Sequence, residues 1–198
     1  MKKKYELTDE TIEIEDEIGH RHVLHRIRAI IDFAGIKAGE FGGYIESESN
    51  LAQIGNCWVS NLAQVFEKAK VAGNARIGGT SKIHGRAHIY GNARVLGNAR
   101  ISGDARVTGC SSINGNAEID GHAFIGDYAE VRDNAKVSGN ARVFDYASII
   151  DNVIVDGNAR IRDYAQIVGK ARVSNSVCIG GYVRVTADTK LSGYDEIF

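Results

Sequence analysis

Six histidines are the side chains best suited to proton transfer or metal ligation in this chain: His20, His22, His25, His84, His88 and His122. Imidazole titrates near neutral pH and is the commonest metal ligand. His84 and His88 flank one Gly-Arg bend and project outward, so either could serve as general base in an acyl transfer. His122 falls at the same corner two turns further on, ~10 Å away at the usual strand spacing. That gap is too large for shared ligation of one metal at ~2.0 Å within a single chain. His20, His22 and His25 lie on a strand edge near the N-terminus and read as solvated surface. No Ser/His/Asp or Cys/His nucleophile set is legible. Cys57, Cys110 and Cys178 form no C-x-x-C pair, and an odd cysteine count does not make a disulfide framework. The expectation is a reducing, cytoplasmic setting, no metal site and no resident cofactor.

Charge offers a second kind of chemistry. Residues 68–107 hold eight basic side chains against one acid, Asp104, a net of +7 in 40 residues. Lys70, His88 and Arg106 form one outward column, with Tyr90 beside it and Arg86 at the corner. These five residues make a plausible clamp for a phosphate-bearing ligand. The competing reading is a solvated basic belt spread over all faces. Aromatic side chains recur at Tyr128, Tyr146, Tyr164 and Tyr182, a ladder that stabilises its own stack and could also dock a sugar or a base. Asp127, Asp145 and Asp163 stack beside it. At ~4.8 Å in water each like-charge contact costs roughly 0.9 kcal/mol, which Asx hydrogen bonds to the aspartates' own bends would offset. Phe124, Phe144, Ile150, Ile154 and Val168 are outward and apolar, which predicts a self-association surface.

These columns exist because the chain is periodic. From Val59 to Ile197 every sixth residue is aliphatic, 24 positions in succession, all Val or Ile except Leu191. Two residues ahead of it runs a second column of 22 positions, 16 of them Ala. Residues two apart in an extended strand share a face, so both columns point inward. Gly-Asn pairs then interrupt each strand; glycine supplies backbone angles that other residues avoid. Asp replaces that glycine at Asp127, Asp133, Asp145, Asp151 and Asp163. Tyrosines recur in steps of 18, and so do Asn98, Asn116, Asn134 and Asn152. Eighteen on a period of six means three strands per coil. The expected fold is therefore all-β, a triangular parallel β-solenoid of nearly eight 18-residue coils, spanning 57–198. Residues 1–56 lack the period and read as an N-terminal β cap, with strands at Tyr5–Leu7, Thr11–Ile14 and Val23–Ile31 and a turn and strand over Ala38–Glu46.

Composition narrows the function classes. The chain has 198 residues, is 43% hydrophobic, has no proline and carries a net charge of −1. Neither a wholly basic nucleic-acid binder nor an acidic mimic fits, so nucleic acid is disfavoured as a partner. No apolar run reaches membrane-spanning length. The start is basic without an apolar stretch behind it, so no signal peptide is expected.

The V-x-G-N-A-R pattern over about residues 57 to 197 resembles the hexapeptide-repeat family, whose prisms are left-handed β-helices. The order K-Y-E-L-T-D-E-T, D-F-A-G-I-K-A-G-E-F-G-G-Y-I-E, N-L-A-Q-I-G-N-C-W-V resembles bacterial and phage proteins of the YdcK type, often labelled transferases. Resemblance implies a homotrimer and leaves function open, because acyltransferases, γ-class carbonic anhydrases and non-enzymatic members share the fold. Hexapeptide acyltransferases usually carry a loop thrown out of the coils and a C-terminal helix, and neither is legible here. The three histidines superficially resemble the zinc set shared between γ-carbonic anhydrase subunits, but their order and spacing differ. The leading expectation is a non-catalytic, oligomeric binding or scaffold protein that holds an anionic small molecule such as a nucleotide, or a host protein. The competing expectation is an acyltransferase using His84 or His88 and acetyl-CoA.

Overall fold

The computed structural model describes residues 3–16 and 18–198. Twenty-four two-residue strands, from Trp58–Val59 to Glu196–Ile197, follow one another at six-residue intervals. They divide among three parallel sheets, one for each face of a triangular prism. Within each sheet, residue i lies beside residue i+18: Arg94 beside Ser112, Arg100 beside Glu118, Arg106 beside Phe124. From Val59 to Ile179 the aliphatic column is at most 1% exposed, and the alanine column is equally buried. Where serine replaces alanine, its hydroxyl is satisfied locally. Ser81 Oγ donates to the Gly78 carbonyl at 2.8 Å and Ser111 Oγ to that of Thr108 at 2.7 Å.

The N-terminal part adds three strands, β1 (Tyr5–Glu15), β2 (Arg21–Ala29) and β3 (Phe41–Ile45), and a single turn of 3-10 helix at Glu48–Asn50. β1 is one long strand, not two; a bulge between Leu7 and Thr11 absorbs the break in pattern that suggested two. It pairs with β2 in an antiparallel hairpin, β2 pairs antiparallel with β3, and β3 pairs parallel with the first coil. Ile45 lies beside Val65, and Leu51 bridges to Val71. The step there is 20 residues, because the chain from Leu51 to Val59 is two residues longer than a hexapeptide. That insertion hides a further coil from a count begun at Val59. The prism has about nine turns, not nearly eight, and a length of roughly 43 Å.

The hairpin closes the N-terminal end. Tyr5, Ile27 and Ala29 join the prism core, and Tyr5 and Phe33 meet Trp58 edge-on at centroid distances of 6.3 and 5.5 Å. Lys4 is buried with them. Its ammonium donates to the Cys57 carbonyl at 2.9 Å and the Gly55 carbonyl at 3.2 Å, and burial pushes its pKa below the ordinary lysine value. Among the described residues, no helix is long and apolar enough to cross a membrane.

The bends carry the second constraint. Gly97 has φ +70°, and a Cβ there would lie 2.8 Å from the carbonyl oxygen and 2.9 Å from the nitrogen of Gly115 in the next coil. The aspartates at equivalent positions also take positive φ, between 53° and 68°. Their carboxylates do not turn back on their own bends as the sequence suggested. Asp145 Oδ2 accepts from the Asp163 N–H at 3.2 Å, Asp163 Oδ2 from Gly181 at 2.9 Å and Asp151 Oδ2 from Gly169 at 3.0 Å. The left-handed backbone aims Cβ along the prism axis, so the nearest unmet donor is one coil on.

Two substitutions test this packing in urea denaturation. Ile119→Ala, which empties part of the prism interior, is expected to cost about 2–5 kcal/mol. Gly97→Ala is expected to cost at least about 1–2 kcal/mol from its backbone angle, with the coil contact adding to it. Losses under 0.5 kcal/mol at both positions would mean that the coils are not packed this closely.

Candidate functional site

A regular prism has flat faces, so a hollow requires columns that change in size. One face has such a hollow, about 730 Å³ in volume. It lies between two adjacent columns, Arg86–Asp104–His122–Asn140 at the bend and His88–Arg106–Phe124–Arg142 on the strand. The strand column is fixed by ladder register, His88 beside Arg106, Arg106 beside Phe124, Phe124 beside Arg142. Three guanidinium groups and two imidazoles therefore share this hollow with one carboxylate.

That carboxylate is already engaged. Arg86 donates from Nη2 to Asp104 Oδ2 at 2.6 Å, and His122 Nδ1 lies 3.7 Å from the same oxygen. The Arg86 hydrogen bond, together with the nearby positive charge of His122 and Arg106, holds the Asp104 carboxyl below the usual carboxylate range, against a smaller opposing effect of burial. Arg142 lies over the Phe124 ring at 5.0 Å and 5.7 Å from the Phe144 ring. Arg106 and Arg142 have no carboxylate partner within ion-pair distance among the described residues. Their charges are open to a ligand.

Of the residues expected to bind an anion, Arg86, His88 and Arg106 meet in this hollow. Lys70 stands one coil before His88 in the same ladder, and Tyr90 projects past the strand end, 40% exposed; neither lines the hollow. Asp104, His122, Asn140 and Arg142 were not gathered with that set from the sequence, and Phe124 was assigned to self-association. The signal for them was available, since each stands a whole number of 18-residue steps from a selected residue. The basic belt does extend over all three faces, with Arg76 beside Arg94 and Lys82 beside Arg100 on the other two.

His84 is on the far side of the bend. Its ring stacks on Phe66 at 5.0 Å with an interplanar angle of 5°, and its Nδ1 is 3.9 Å from Glu67 Oε2. Only His88 of the two candidate bases faces the cationic hollow. His22 is not solvated surface: its side chain is 11% exposed. The hairpin tip folds over the outside of the first coils, where Leu24 and Tyr44 cover Phe66, and this buries the imidazole. The hydrogen bond that His22 donates to the Glu46 carboxylate, opposed by burial and reinforced by Asp16 and Glu67, raises the His22 pKa. His20 remains exposed.

The tyrosine ladder forms as expected, with rings 4.9, 5.0 and 4.9 Å apart and tilted by 3° to 5°. The asparagine ladder is hydrogen-bonded, each side-chain amide donating to the next at 3.0 to 3.2 Å. Phe124, Phe144, Ile150, Ile154 and Val168 are all half-buried within the single chain.

The three-sided stack of hexapeptides defines a β-solenoid, here with one cationic, partly aromatic hollow. Residues 87–100 and 99–115, which contribute His88, Asp104 and Arg106 to that hollow, match the family model described as YdcK Beta solenoid repeat. Over 60 residues the chain is 42% identical to the "Uncharacterized acetyltransferase YdcK" of Escherichia coli (strain K12). That match covers 29% of this chain and 18% of the relative, so the chain aligns with less than a fifth of that protein's length. Fold and repeat together are consistent with a hexapeptide-repeat protein of the YdcK type.

The electrostatic arrangement has a direct test. A carboxyl with a depressed folded-state pKa contributes stability that is complete above its unfolded value of about 3.9 and is lost as pH falls through the folded value. Carboxyl ¹³C NMR titration should find Asp104 below that reference. Arg86→Met should move it back toward the reference; an unmoved Asp104 would show that the ion pair does not form.

Proposed function

We propose that this protein is a non-catalytic, self-associating binding module whose cationic hollow holds an anionic small molecule, such as a nucleotide. The observation that supports this reading is the charge imbalance of one face. Arg86, Arg106 and Arg142 converge on a hollow whose one carboxylate is taken by Arg86. Arginine forks match phosphate oxygens bidentately. Between Arg106 and Arg142 lies Phe124, whose ring would take a planar base once Arg142, which lies over it at 5.0 Å, swings onto a phosphate. Self-association, with a trimer favoured by resemblance, would place the half-buried apolar residues against a second copy. Three cysteines without disulfide partners suit a reducing, cytoplasmic setting.

A second reading is acyl transfer, favoured by the acetyltransferase name of the E. coli relative and by two imidazoles in the hollow. In this reading acetyl-CoA is a substrate. His88, or His122 oriented by Asp104, takes the proton from an acceptor hydroxyl or amine as that group attacks the thioester carbonyl, and the CoA thiolate leaves. The arginines would hold the CoA phosphates.

Isothermal titration of the full chain with ADP and with CoA, at low salt, distinguishes the readings. The binding reading expects one of them to bind, Arg106→Ala and Arg142→Ala to weaken it by about tenfold or more, and no acetyl-CoA turnover. Acyl transfer expects turnover that His88→Ala or His122→Ala abolishes while CoA affinity is kept. Binding of neither ligand would overturn the anion-binding reading for both. Native mass spectrometry of the same sample reports the subunit number, and a monomer would overturn self-association.

A further inference from the structure

A second cluster, at the junction of cap and prism, is independent of the cationic hollow. Asp16, His22 and Glu67 each aim one ligand atom at a common point, and the three atoms lie within 4.8 Å of one another. His22 Nε2 is 3.5 Å from Asp16 Oδ2 and 3.9 Å from Glu67 Oε1. For a tetrahedral ion with bonds of about 2.0–2.1 Å, neighbouring donors stand about 3.4 Å apart. The two distances from His22 are thus within about half an ångström of that spacing, and the third pair, Asp16 and Glu67, lies inside 4.8 Å, so small side-chain rotations would close the set around an ion.

Each donor is also held in the orientation that ligation needs. His22 Nδ1 is hydrogen-bonded to Glu46 Oε1 at 2.9 Å. That bond holds a proton on Nδ1 and aims Nε2 at the two carboxylates, so an ion that displaces the Nε2 proton meets a lone pair already oriented by a second carboxylate. Asp16 Oδ1 accepts the backbone N–H groups of Ile18 at 2.9 Å and His20 at 2.8 Å. Glu67 Oε2 accepts the N–H of Gly85. In both residues the other oxygen is the one turned to His22. Glu46 is pinned in turn, its Oε2 accepting the Glu67 N–H at 2.5 Å.

Charge supplies a separate argument. Three carboxylates, Asp16, Glu46 and Glu67, share this junction, and among the described residues their ion partners are all histidines. The Asp16 side chain is only 8% exposed, so water screens it poorly. A fourth donor is at hand: His20 Nδ1 is 3.3 Å from Asp16 Oδ2, on a side chain that is 70% exposed and can swing.

We propose that Asp16, His22 and Glu67, completed by His20 or water, bind one divalent transition-metal ion that fastens the β1–β2 hairpin onto the first coils of the prism. The imidazole and carboxylate donors suit zinc, manganese or cobalt rather than a thiol-seeking ion. The ion ties three separate pieces of chain: the end of β1, the start of β2 and the bend of the first coil. Its role is to order the cap, and it does not depend on what the cationic hollow binds.

The test uses the full chain, freed of metal with a chelator and titrated with Co²⁺, followed by visible absorption and calorimetry. The expected result is one equivalent per chain, a ligand-field band of nitrogen and oxygen ligation, and a higher thermal midpoint for the loaded protein. His22→Ala should abolish the band, and Asp16→Asn and Glu67→Gln should each weaken binding by tenfold or more. If His22→Ala fails to fold by circular dichroism, Glu67→Gln decides, because its backbone sits in the coil ladder. Absence of Co²⁺ binding to the wild type, unchanged affinity in Glu67→Gln, or a sulfur-to-cobalt charge-transfer band placing the ion at Cys110 or Cys178 would each overturn the proposal.

Discussion

The structure depends on one contact: the backbone of each coil resting directly on the backbone of the next. Asn92, Arg94, Leu96 and Asn98 donate to the carbonyls of Gly109, Ser111, Ile113 and Gly115 at 2.7 to 2.9 Å, and the pattern continues along the prism. Each such bond is worth only about 1 kcal/mol net, but the contact dictates composition everywhere else. The interior admits only a small and a branched residue per hexapeptide, because three strands of every coil converge on one axis. The bends admit residues that tolerate positive φ and have little or nothing on Cβ to strike the next coil. Nearest-neighbour stacking also makes the fold a one-dimensional object, in which each coil stabilises the two beside it.

Outward side chains inherit this spacing whether or not it suits them. A column repeats at ~4.8 Å, so each side chain meets its counterpart at near contact distance. Tyrosine and asparagine gain from that spacing, through parallel rings and a continuous amide chain. Aspartate does not gain from its own kind, and its carboxylate instead caps a backbone N–H of the following bend. Glu67 occupies the same bend position and makes the same capping bond to Gly85. Its longer side chain leaves the second oxygen free to reach His22, which an aspartate in that position would not do. The cap junction is thus built on the same device as the aspartate ladder, extended by one methylene.

The prism was legible because its determinants are local and repeated. Val95, Ala99 and Gly97 state in six residues what is repeated along the chain, and the steps of 18 in tyrosine and asparagine disclose three sides. Two features escaped that reading for physical reasons. The ninth turn was hidden because Ile45 and Leu51 keep the aliphatic column but are offset by two residues from Val59. Burial of His22 was hidden because the β1–β2 hairpin has no period; where its tip lands depends on Leu24 and Tyr44 finding Phe66. The one local hint was Phe66 and Glu67 together, a bulky apolar residue in an outward column followed by a charge where glycine is usual. The direction of the aspartate carboxylates was also beyond the sequence, because it depends on which N–H groups the coil ladder leaves unmet.

Departures from the ladder are also the places where a solenoid can act. A column that repeats one residue presents a flat strip with no hollow and no convergent charge. The column Arg86–Asp104–His122–Asn140 never repeats, and beside it His88–Arg106–Phe124–Arg142 changes in size and character from coil to coil. Neither alternation improves stacking over a uniform ladder; the Arg86–Asp104 pair is exposed, and such pairs stabilise little. Natural sequences that abandon local consistency do so most often at functional sites. By that criterion the prism has two such places, the cationic hollow and the cap junction, and they lie on opposite sides of the bend at Gly85–Arg86. The rigid backbone between them is shared. Gly85 receives Glu67 on one side, and Arg86 reaches Asp104 on the other. The two places thus share one rigid bend while their side chains point to separate faces.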